Sequence, residues 1–229
     1  MVTFYTALGR YELRNAKNSR HPVVILNRQE HSLSIQEMIL WSSLMWSIHT
    51  FDELKKAFYQ KEREARILGD TEYEGCLARM ERRGLIAAGK GYTAVEALYS
   101  LIARLYIVPL SESLWTKLGA FLHLTFLRRI PFAVTKKVFA DPGLTADERR
   151  LLSLVRQAPL TGEDLIRCVD SRAADISDES KLMAALYPDG IPATGSRNEF
   201  TGMTSPNRIP VTQTLVNLYL RKQILFEPI

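Results

Sequence analysis

The chain has 229 residues, 46% hydrophobic and 24% charged, with a net charge of +5 from 30 basic and 25 acidic side chains. This composition excludes a mainly disordered chain, a collagen-like chain and a disulfide-stapled peptide, and the length suits one full core or two small ones. The basic excess is concentrated in residues 1–30 (+3) and 98–144 (+4), which favours a polyanionic partner.

Residues 1–21 mix aromatic and basic side chains (Phe4, Tyr5, Arg10, Tyr11, Arg14, Lys17, Arg20) without a clean period and read as an N-terminal arm. Val23 to Leu26, following Pro22, predicts a short strand. Helix-start signals then come in series. Ser34-Ile-Gln-Glu37, Thr50-Phe-Asp-Glu53 and Thr71-Glu-Tyr-Glu74 are capping boxes, in which a hydroxyl accepts from the third helical amide and the carboxylate reaches back. They predict helices over 35–46, 51–68 and 71–83, the last two stopped by Gly69 and Gly84. Leu85-Ile-Ala-Ala88, Gly89-Lys-Gly91 and Tyr92-Thr93 then read as a strand, a tight turn and a short return strand. From Val95 through Leu105, and again from Leu114 through Phe126, apolar residues follow a 3.6-residue period, with breaks at Pro109 and Pro131. This apolar block reads either as packing between flanking domains or as a homodimer interface.

The second half repeats the first. Thr145-Ala-Asp-Glu148 is another capping box, and Thr161 opens a helix 16 residues later, the spacing that separates Ser34 from Thr50. Leu215 to Leu225 aligns with Cys76 to Ile86 through a helix face, a basic pair and an aliphatic pair. The offset is 111 in the first part and 139 in the second, which places a 28-residue loop-rich insertion near 177–210, with room for a short helix over Glu179 to Leu186. The chain stops soon after Ile224-Leu-Phe226, so the second copy is expected to have little or no wing.

Met80-Glu-Arg-Arg-Gly-Leu-Ile86 resembles the end of the recognition helix and the first wing strand of winged helix-turn-helix regulators of the PadR and MarR type. The resemblance covers roughly 22–95, and more faintly 144–229. It implies a mainly α chain with small β wings, in which two winged-helix domains are joined by a helical central segment. The organisation expected is an arm (1–21), a first winged-helix domain (22–95), a helical linker or dimerisation segment (96–142) and a winged-helix-like second domain (143–229). By position in that family, Arg79, Arg82, Arg83 and Lys90 would meet DNA in the first copy. In the second, Gln213, Asn217 and Arg221 project outward at i, i+4 and i+8, where Gln and Asn suit adenine and Arg suits guanine. Polar residues also cover any exposed helix face, and Glu72 and Glu74 fit the dipole at a helix N-terminus.

Signals of catalysis are lacking. The histidines at 21, 31, 49 and 123 have no metal-ligand spacing, and no Cys-x-x-Cys, His-Glu-x-x-His or Gly-x-Ser-x-Gly occurs. Cys76 and Cys168 read as free thiols in a reducing compartment. Arg10 and Glu12 come too early for a signal peptide, and no stretch approaches the roughly 18 apolar residues of a membrane span. The expectation is a cytoplasmic, non-enzymatic protein with no cofactor, binding double-stranded DNA as a transcriptional regulator and forming a homodimer through the central helices. The competing expectation is an interaction or scaffold protein built on the same folds.

Overall fold

In the computed structural model, residues 1–16, 19–66, 72–110, 143–188 and 205–229 are described. Chain order runs β1 (Val2–Ala7), β2 (Arg10–Ala16), β3 (Ser19–Leu26), β4 (Gln29–Ser32), α1 (Ile35–Leu44), β5 (His49–Thr50), α2 (Phe51–Glu64), α3 (Tyr73–Arg82), β6 (Ile86–Gly91), α4 (Ala94–Ile102) and β7 (Leu105–Pro109). It continues with α5 (Ala146–Gln157), β8 (Leu160–Thr161), α6 (Gly162–Asp170), α7 (Glu179–Leu186), α8 (Arg208–Leu220) and β9 (Ile224–Pro228).

Helix starts follow the capping logic closely. Glu37 accepts from the Ser34 amide at 2.9 Å, and Glu148 from the Thr145 amide at 2.7 Å. Thr50 with Glu53 and Thr161 with Asp164 are also complete boxes. The third expected box rests on Thr71, which lies outside the described residues; α3 starts from Glu72, which makes no side-chain cap bond. Thr93-Ala-Val-Glu96 forms a further complete box, which opens α4.

The strands correct the expected fold class. Eight helices and three antiparallel three-stranded sheets among the described residues make a mixed α/β chain, not a mainly α chain of two winged-helix domains. No hairpin wing follows α3. Gly89-Lys90-Gly91 is not a turn: β6 runs straight through it and pairs with β1 from Ala7↔Ile86 to Val2↔Gly91. The glycines serve a close helix approach instead. A Cβ at Gly89 would lie 2.4 Å from the Ala97 carbonyl and the Leu101 Cβ, so only glycine lets α4 sit on β6. The third strand of the sheet comes from the N-terminal segment expected to be an arm, giving the order β5-β1-β6. Leu105, expected on a helix, opens β7, the middle strand of β8-β7-β9. The remaining sheet, β2-β3-β4, is a meander whose β3–β4 turn places Asn27 and Arg28 both at positive φ, as a two-residue hairpin turn requires.

With the β2-β3-β4 meander of the first half and α7 of the second set aside as insertions, the described elements of both halves run strand, helix, short strand, helix, helix and strand, with the leading strand in the middle of the sheet. The registers agree in detail. Phe4↔Thr50 and Ala7↔Ile86 in the first sheet correspond to Tyr106↔Thr161 and Pro109↔Ile224 in the second. Third-helix ends match as well: the Leu85 amide bonds the Met80 carbonyl, and the Gln223 amide bonds the Leu218 carbonyl. The third-helix offset is therefore 138, one less than the basic pairs suggested. Lys222, at φ 60°, occupies the left-handed position of Gly84, at φ 68°.

One core runs through both halves, from Leu40, Trp41, Phe58 and Met80 to Leu152, Leu165, Leu218 and Phe226. Helix α4 packs on β1 and β6 and also meets α8. The Gly9 amide bonds the Phe226 carbonyl at 3.1 Å, and the Glu163 amide bonds the Ala103 carbonyl at 3.1 Å. Residues 111–142 of the expected linker or dimerisation segment (96–142), and residues 189–204 of the loop insertion expected near 177–210, lie outside the described residues. No helix among the described residues is long and apolar enough to cross a membrane.

Candidate nucleic-acid interface

The third helices carry the predicted contacts. On α3, Tyr73, Cys76, Leu77 and Met80 are buried, and Glu72, Glu74, Arg79, Glu81 and Arg82 are exposed. This is the phase expected for an amphipathic helix with one face on the core. Glu74 has a long contact to Lys55, at 3.7 Å. The Arg82 Nε donates to the Ala78 carbonyl at 3.3 Å, so its guanidinium lies back along its own helix. On α8, Val211, Thr212, Leu215, Leu218 and Tyr219 are buried, while Gln213, Asn217 and Leu220 are exposed.

The seven predicted residues divide into three groups. Arg79, Arg82, Gln213 and Asn217 stand exposed on the outer faces of α3 and α8. Lys90 is exposed but sits opposite Thr3 within β6, not at a wing tip. Arg83 and Arg221 are engaged by the protein itself. Arg83 Nη1 is 3.0 Å from Glu37 Oε1, and its Nη2 donates to the Ser32 carbonyl at 2.7 Å. Arg221 Nη1 is 3.1 Å from Glu148 Oε2 and 3.4 Å from the Gly143 carbonyl.

The acceptors are the capping-box glutamates. Burial pushes the Glu37 carboxyl up, but the Ser34 amide and the Arg83 guanidinium outweigh it and hold the group below its usual range. Sequence reasoning missed these pairs because nothing local joins Glu37 to Arg83; only the correct repeat register shows that the same two positions recur.

The cysteines offer no reactive centre. Both are buried free thiols, and burial pushes the Cys168 thiol up to about 11. Burial also raises the Cys76 thiol, against the opposing charge of Arg79. Among the described residues, no group of three His, Cys, Asp or Glu side chains is arranged to hold a metal ion. The arrangement places hydrogen-bonding and cationic side chains on the exposed faces of α3 and α8. No family model, curated protein or solved structure matches the chain.

Proposed function

We propose that this chain binds double-stranded DNA through the outer faces of α3 and α8 and acts in the cytoplasm as a regulator of transcription, without enzymatic activity of its own. The observation that carries this reading is the exposure of Arg79 and Arg82 on one third helix and of Gln213 and Asn217 on the other, with Asn217 at the place repeat-related to Arg79. Arginine neutralises phosphate and pairs with guanine, and Gln and Asn pair with adenine, so the two helices bring complementary chemistry. The net charge of +5 supports the same partner. Titration with random-sequence duplex DNA at two salt concentrations tests it: affinity falling steeply with salt is expected, and absence of binding at low salt overturns it.

A protein partner is the second reading, favoured by Ile209 and Leu220, which are 48% and 47% exposed on α8 beside Gln213. Glu72, Glu74 and Glu81 on α3 also suit a protein surface better than a phosphate backbone.

A further inference from the structure

Resting on the reading that α3 and α8 are the docking helices, we propose that Arg83 and Arg221 are positioning residues: each locks the end of its docking helix onto the first turn of the helix that opens the same half. Arg83 is the C-cap of α3, and its guanidinium bridges Glu37 in the first turn of α1 and the carbonyl of Ser32 at the end of β4. Arg221 is the C-cap of α8 and bridges Glu148 in the first turn of α5 and the carbonyl of Gly143 before it.

Three observations carry the assignment. The device occurs twice, at the offsets 111 and 138 that relate the halves elsewhere, so it belongs to the shared architecture and not to one chance surface pair. The glutamates are poorly exposed, at 10% for the Glu37 side chain and 3% for that of Glu148. A phosphate that took either guanidinium would strand a desolvated carboxylate without its cation, which strongly disfavours that exchange. Finally, Arg79 and Asn217 each lie four residues before the clamping arginine, one helical turn away on the outer face. Holding the last turn therefore holds the azimuth of the residue that meets the ligand.

The clamp and a direct contact predict opposite signs when the glutamate is removed. The experiment titrates random-sequence duplex DNA with the full chain, the Glu37→Gln and Arg83→Gln variants and the double variant, across a salt series. The proposal expects each single variant to bind about fivefold more weakly, within the range of coupling found in one ion-pair network. The salt slope should be unchanged, the double variant should be no weaker than the weaker single one, and Arg83→Lys should recover part of the loss. If Arg83 touches phosphate instead, Arg83→Gln lowers the slope by about one unit and Glu37→Gln, which releases the guanidinium, tightens binding; that result overturns the proposal. Should the unaltered chain not bind DNA at low salt, the functional reading fails separately. Amide exchange in the last turn of α3 then decides the clamp: faster exchange in both single variants sustains it, and unchanged protection overturns it.

Discussion

Thr6 and Tyr219, 213 positions apart in the chain, meet in the core with their hydroxyls 3.0 Å apart. The Tyr219 hydroxyl also accepts from the Trp46 amide at 3.1 Å and donates to the Leu44 carbonyl at 3.2 Å. Its ring stacks on Phe226 at 4.5 Å. One phenol thus satisfies polar groups of β1 and of the segment after α1 from a helix of the other half. Low dielectric strengthens each bond and makes each loss costly.

Tyr219→Phe is expected to keep the ring packing and strand the Trp46 amide, costing about 1–3 kcal/mol, while the Thr6 hydroxyl keeps the Ser47 carbonyl as its acceptor. Urea unfolding measures this, and both halves should lose stability together in one transition. The pH dependence has a defined sign. Burial raises the Tyr219 phenol from its ordinary 10.0 to about 12. The folded state holds this proton more tightly, so stability is full below pH 10 and falls between pH 10 and about 12, by about 1.4 kcal/mol per unit at most. Tyr219→Phe should lose less over that interval than the unaltered chain.

Two glycines separate backbone strain from crowding. A Cβ at Gly84 would meet nothing within 4 Å, so Gly84→Ala reports the left-handed φ alone and should cost about 1–2 kcal/mol. Lys222 already bears that strain at the equivalent place, so Lys222→Gly should stabilise by about 0.5–1 kcal/mol, the gain being trimmed by glycine's greater unfolded-state entropy. Gly89→Ala forces α4 off β6 and should cost about 1–3 kcal/mol or more. Thermal melts of the three variants check the order.

Much of this architecture could be read from short-range chemistry. The boxes at Ser34, Thr50, Thr145 and Thr161 define their helices because a cap uses residues three positions apart. α7 begins and ends where the sequence placed it. The errors come from long-range pairing. Gly89-Lys90-Gly91 has the composition of a turn, and only its neighbour α4 reveals that the glycines clear space for a helix. Val2–Ala7 shows no clean alternation, and its place is set by long-range pairing: β1 is the central strand of its sheet and meets both α4 and α1. For the candidate interface, helix periodicity correctly turned Arg79, Arg82, Gln213 and Asn217 outward. It also turned Arg221 toward solvent, and position in the resembled family gave Arg83 to DNA; their glutamate partners lie 73 and 46 residues away in the chain, beyond the reach of either argument.

Glu62 is a buried carboxylate with an oxygen that finds no hydrogen-bond partner. Burial raises its carboxyl above the usual range. The folded state therefore favours the protonated form, and stability contributed at low pH is lost as pH climbs through the raised value. Glu62→Gln removes that loss. Its stability relative to the unaltered chain should grow from about pH 4 upward and then level off, as read from urea midpoints across pH. A constant difference between the two proteins would show that Glu62 keeps its ordinary ionisation.

The proposed interface makes a paired prediction on the two third helices. Arg82 points outward near the end of α3, where a cation can neutralise one phosphate. Arg82→Ala should weaken DNA binding about equally on all sequences and flatten the salt dependence by about one unit of slope. Asn217 lies at the place repeat-related to Arg79, and its amide can pair with an adenine edge. Asn217→Ala should cost about 1–3 kcal/mol on a preferred site selected from random duplexes and little on other sequences, with the slope retained. Both measurements use the same titration, so the two effects are compared directly. If neither substitution changes affinity while charge placed at Ile209 or Leu220 abolishes capture of a defined protein partner, α8 is a protein-docking helix and the DNA reading fails.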